Sequence, residues 1–115
     1  MSPPHLAKWT EAHGLIFVSG QLPFDAERKI VGGTIGPQTE QALENLEAVL
    51  RDAGLDRSHV TKATIWLTAK GDFAGFNDAY AAFFGPCRPA RSTVVSDLVA
   101  PGALIEIEAV AARSA

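Results

Sequence analysis

The chain has one cysteine, Cys87, among its 115 residues, so no disulfide can form within it, and a reducing compartment is expected. It also lacks basic charge in excess. Ten Lys and Arg stand against thirteen Asp and Glu, for a formal net charge of -3, and the basic residues are scattered. Nucleic-acid surfaces normally show as a basic stripe, so no nucleic-acid partner is expected. No apolar run approaches the length of a membrane span, and the start, MSPPHLAKWTEAHG, has no signal-peptide core. The expectation is a complete cytoplasmic protein with no membrane association.

Other absences narrow the chemistry. His5, His13 and His59 have no metal-ligand spacing with one another or with Cys87, so neither a metal nor another cofactor is expected. VGGTIGP lacks the lysine and hydroxyl residue of a phosphate-binding loop, and no G-x-S-x-G nucleophile turn is present. There is no internal repeat or long linker, and the length suits one domain spanning residues 1–115.

The residues that are present alternate between strand and helix patterns. Leu15 to Ser19 reads as a buried strand stopped by Gly20 and Pro23, and a short strand is expected around Ile30-Val31. A helix is expected from Pro37 to Gly54. It sets Ala42, Leu43, Leu46, Val49, Leu50 and Ala53 on one face, with Glu40, Glu44, Glu47 and Arg51 on the other. HVTKATIWLTA is rich in β-branched residues and reads as a third strand. A second helix is expected from an Asp72 cap, with Phe73, Phe76, Tyr80, Phe83 and Phe84 as its apolar stripe. Arg91 to Ser96 and Ala103 to Ala111 read as the last two strands. The fold class is therefore α+β, with two helices on one face of a mixed sheet.

Two helices leave the other sheet face uncovered, and its apolar groups point to a subunit interface. In the last strand, alternation sets Leu104, Glu106, Glu108 and Val110 on one side and Ile105, Ile107 and Ala109 on the other. The carboxylate side cannot be the helix-covered core. It is expected at the interface or in a cleft beside it.

Four residues carry candidate chemistry. Arg91, sharing a strand face with Thr93, suits bidentate capture of a carboxylate, or a structural ion pair with Glu106 or Glu108. Glu106 suits general acid–base work, or a solvated strand position. Asn77, inside the aromatic stripe, is either a core amide bonded to backbone or an amide lining a site. Cys87 has Arg88 beside it but no histidine nearby in sequence, and reads as an incidental loop thiol.

Five segments, VSGQLP, ALENLEAVLRDAG, FNDAYAAFF, RPARSTV and IEIEAVA, resemble in order and spacing the Rid (YjgF) family of reactive imine and enamine deaminases. The resemblance runs from about Leu15 to Ala111, and its most specific part is the PARS…IEIEAVA ending. It implies a chorismate-mutase-like fold assembled as a homotrimer with clefts between subunits. It also implies hydrolysis of 2-imino acids such as 2-iminopropanoate and 2-iminobutanoate to 2-oxo acids and ammonia. On that resemblance Arg91 binds the substrate carboxylate and Glu106 holds the attacking water. Ser19, Gly20, Asn77 and Thr93 contribute to substrate binding. His5 falls where the family has a tyrosine, and Thr93 where cysteine is frequent. The alternatives are a trimeric small-carboxylate-binding, regulatory or chaperone protein, and a ribonuclease, which the charge balance disfavours.

Overall fold

A computed structural model describes residues 3–113. Seven main elements follow one another: β1 (Trp9–Ala12), β2 (Leu15–Gln21), α1 (Ile35–Asp52), β3 (Val60–Leu67), α2 (Phe73–Phe84), β4 (Ala90–Val95) and β5 (Ile105–Ala112). The strands form one sheet in the order β1-β2-β5-β3-β4. Every pairing is antiparallel except that of β3 with β4, which are joined through α2. The α+β expectation holds, with both helices packed on one sheet face.

The core lies between that face and the helices. Ile16 and Val18 of β2, Ala63, Ile65 and Leu67 of β3, and Ile105, Ile107 and Ala109 of β5 are buried against Leu43, Leu46 and Leu50 of α1 and Phe76 of α2. The alternation expected for β5 is observed, with Glu106, Glu108 and Val110 on the opposite face. Leu104 departs from it: it lies just before the strand and packs partly against the core.

Polar side chains fix α1 to the loops around it. Gln38 is buried; its amide nitrogen donates to the carbonyls of Val31 and Gly102 at 3.1 and 3.0 Å, and its Oε1 accepts from the Leu104 N–H at 2.7 Å. These bonds satisfy loop groups that burial would otherwise leave unpaired, and they set where β5 begins. Asn45 likewise donates to the carbonyls of Leu22 and Phe24, both at 2.9 Å. The helix ends in a Schellman arrangement, with Leu55 N–H on the Leu50 carbonyl at 2.8 Å and Gly54 N–H on Arg51 at 3.0 Å.

Several expected boundaries shift. The helix α1 starts at Ile35, two residues before Pro37, because a proline among the first helical residues removes no intrahelical bond. Ile30 makes only an isolated bridge to Phe24, so no strand forms around Ile30-Val31. Asp72 is not a side-chain cap: the chain enters α2 through a 3-10 turn, Lys70–Asp72, and Asp72 already has near-helical backbone angles. Strand β1 was not expected at all. It is a mostly exposed four-residue edge strand, WTEA, paired to β2 through a turn in which His13 and Gly14 have φ of 55° and 77°. Two positive φ values make the tight hairpin turn whose twist matches its strands.

Candidate functional site

Strand pairing decides where Arg91 goes. In the parallel ladder Arg91 lies beside Ala63, and Thr93 beside Ile65. Paired residues project to the same side, and Ala63 and Ile65 are fully buried under the helices. Arg91 and Thr93 therefore share a strand face, as expected; that face is the helix-covered one, and both are half-buried at the edge of the sheet. Glu106 pairs with Trp66, one step out of phase with Ile65, so it sits on the opposite, open face. Within one chain the two residues expected to carry the chemistry are separated by the thickness of the sheet. Within one chain, a structural ion pair of Arg91 with Glu106 or Glu108, both on the open face, is therefore not formed.

Arg91 meets α2 instead. Its Nη1 donates to Asn77 Oδ1 at 2.9 Å. Asn77 is thus bonded to the arginine, not to backbone as a core amide would be. The guanidinium carbon lies 5.6, 5.2 and 4.9 Å from the ring centres of Phe73, Phe76 and Tyr80. Rings at these distances attract and orient a cation but leave its charge uncancelled. No carboxylate pairs with Arg91 among the described residues.

The guanidinium opens into a cavity of about 370 Å³ between α2 (Asn77, Tyr80, Phe84) and the segment carrying Cys87, Arg88 and Arg91. Cys87, free and half-buried, is thus in the wall of the Arg91 cavity and not merely in a loop. The Tyr80 hydroxyl is buried without a partner among the described residues. Burial pushes its pKa up, against a smaller opposing effect of the Arg91 charge. Sequence reasoning placed the α2 aromatics in the core and missed that three of them hold Arg91. The signal was present: Asn77 is three and four residues from Tyr80 and Phe73, so one helix face carries all three.

On the open face, Glu106 is half-buried beside Trp66 and next to Gly20. The β2–β5 ladder slips by one residue between Val18 and Gln21, a bulge that brings Ser19-Gly20 alongside β5. A Cβ at Gly20 would overlap the Glu106 carboxylate. Glycine is required there to let that side chain lie against the backbone. Burial pushes the Glu106 pKa above the ordinary carboxylate range, and the neighbouring Glu108 charge adds to the rise. A second cavity of about 200 Å³ adjoins Glu106, with Trp66, Asp97 and Val99 in its wall. The Ser19 hydroxyl is engaged in donating to the Ala7 carbonyl at 2.6 Å, which ties down the N-terminal segment. His5 is exposed in that segment and lines neither cavity.

The geometry defines two separate features: a pocket without carboxylates that holds the unpaired Arg91, and a glycine-backed glutamate with a raised pKa on the open sheet face. Among the described residues no cluster of three His, Cys, Asp or Glu is placed to hold a metal ion, and no helix is long and apolar enough to cross a membrane. Residues 3–113 match the family model described as Endoribonuclease L-PSP, and the chain belongs to this Rid/YjgF/L-PSP family.

Relatives agree across nearly the whole length. Protein DfrA of Myxococcus xanthus is 42% identical over 112 residues, covering 96% of this chain and 86% of the relative. A RutC family protein of Pyrococcus horikoshii is 42% identical over 102 residues, covering 88% of this chain and 81% of its own length. The crystal structure of RidA from an Antarctic Psychrobacter superposes with a TM-score of 0.90 at 29% identity, covering 98% of this chain and 92% of that one.

Proposed function

We propose that the protein is a homotrimeric hydrolase that deaminates 2-imino acids, in clefts that join Arg91 of one subunit to Glu106 of a neighbour. The observation that carries this reading is the unpaired guanidinium of Arg91, oriented by an amide and three rings and open to a cavity with no carboxylate of its own. Such a group is built to receive an anion from outside the chain. Glu106 is on the other side of the sheet, so the two can act together only across an interface. The open face supplies apolar material for one, with Phe17 and Val94 exposed on it.

The chemistry asks little of the protein. Arg91 holds the substrate carboxylate, and backbone groups near Gly20 and Thr93 orient the imine. Water on Glu106 adds to the imine carbon; the C–O bond forms as the C=N π pair moves to nitrogen, and Glu106 accepts the water proton. Returning that proton to nitrogen gives a carbinolamine; Glu106 then passes the remaining hydroxyl proton to the same nitrogen, and the C–N bond breaks as the C=O bond forms, releasing ammonia and leaving the 2-oxo acid. A carboxylate with a raised pKa is well matched to taking up and returning one proton. Imines hydrolyse unaided, so positioning with one acid–base group is sufficient.

The test is to generate an imine with an amino-acid oxidase in the presence of an amine trap and follow free ammonia, with the particle mass measured by light scattering. Faster ammonia release by a trimer supports the reading. A trimer that binds 2-oxo acids yet leaves the rate unchanged replaces it with a carboxylate-binding role, and a monomer removes the shared cleft.

A further inference from the structure

The cavity beside Arg91 contains a second cation that the deaminase chemistry does not use. Arg88, exposed at the rim, lines it together with Arg91. No lining residue is Asp or Glu, although acidic residues outnumber basic ones in the chain, thirteen to ten. Neither arginine has a carboxylate partner among the described residues. The pocket is thus doubly positive inside a protein of net charge -3. The same lining includes the apolar residues Phe84, Ala81 and Pro89 as well as Tyr80.

We infer that this cavity selects 2-imino acids carrying a second carboxylate at the far end of a short chain, the first held by Arg91 and the second by Arg88. This rests on the deaminase reading and assigns its substrate class. Two residues, Pro89 and Ala90, separate the two arginines, at most about 11 Å of backbone, a gap that two long side chains close around a four- or five-carbon diacid. The apolar wall accommodates the methylene groups between the carboxylates, and about 370 Å³ is more space than a three-carbon imino acid needs. Arg88 is a specificity residue here, since it touches the distal carboxylate and not the reacting carbon.

The inference is tested by calorimetric binding of two stable product analogues of equal chain length, 2-oxoglutarate and 2-oxopentanoate. The native protein is expected to bind the diacid roughly two- to fivefold more tightly, the scale of an ion pair at a solvent-exposed rim. Arg88→Gln should erase that gap without changing 2-oxopentanoate affinity, Arg88→Lys should keep part of it, and raised salt should narrow it. Equal affinities in the native protein, a preference that survives Arg88→Gln, or no binding of either acid would overturn the assignment. Imine turnover measured in parallel separates the two ideas. Turnover of mono- and dicarboxylic imines alike leaves the deaminase reading standing and removes only the Arg88 subsite.

Discussion

Two arginine sites on the same sheet have opposite electrostatics. Arg113, just beyond β5, forks onto Glu11 of β1 with bonds of 2.9 and 3.1 Å and also donates to the Ala53 carbonyl at the end of α1, at 2.9 Å. Arg57 shows the same saturation: its side chain lies 3.8 Å above the Phe83 ring, donates to the Phe83 carbonyl at 2.7 Å and faces Glu47 at 3.5 Å. These residues bring their counter-ion with them and staple elements together. Arg91 has similar rings and a similar neutral acceptor, but no carboxylate. A guanidinium held in position with its charge uncancelled suits a ligand, and the proposed function rests on that contrast with the two structural arginines.

The sharpest way to break the comparison is to truncate both. Arg91→Ala should lower kcat/KM for imine hydrolysis at least about a hundredfold, since two charge-assisted bonds of roughly 1.5–3 kcal/mol each are lost, while trimer mass and melting temperature hold. Arg91→Lys should also fail, because a point charge cannot reproduce the planar fork. Arg113→Ala should do the reverse, lowering the melting temperature with kinetic constants unchanged. If Arg91→Ala keeps full activity, or merely unfolds the protein, the distinction collapses.

A smaller effect is expected at Gly20. A Cβ there displaces the Glu106 carboxylate, so Gly20→Ala should reduce kcat by about tenfold or more with KM nearly unchanged, the cost of misplacing an acid–base group. Unchanged kcat in a folded Gly20→Ala trimer would show that the position of Glu106 is immaterial.

The smallest expected effect concerns pH. Glu106 must be ionised to take a proton, and its pKa is raised first by burial and then by Glu108. The acidic limb of the rate profile should therefore fall above the ordinary carboxylate range, and Glu108→Gln should move it toward lower pH. For stability the sign is opposite to that of a salt-bridged acid. The folded state binds the Glu106 proton more tightly than the unfolded chain, so this contribution is present below the unfolded pKa and is lost as pH rises through the folded one. A limb that does not move in Glu108→Gln would detach it from Glu106.

Local pattern was enough for much of this molecule. Alternation in β5 placed Ile105, Ile107 and Ala109 inward and Glu106 and Glu108 outward, because a strand's period of two is a property of its own backbone. The 3.6-residue repeat marked α1 and α2 for the same reason, and the PARS and IEIE segments pointed to Arg91 and Glu106. Polar, mostly exposed β1 escaped notice because its strand character comes from pairing with β2, not from its own residues. What only the tertiary structure decided is which side of the sheet each charged residue occupies relative to the other. The parallel register of β3 with β4 puts Arg91 beside Ala63, and the antiparallel register with β5 puts Glu106 beside Trp66. Register is set by packing between segments far apart in the chain, so no local period encodes it. The same packing gave Arg91 its amide and aromatic neighbours in place of a carboxylate, and set Glu106 on the opposite face of the sheet.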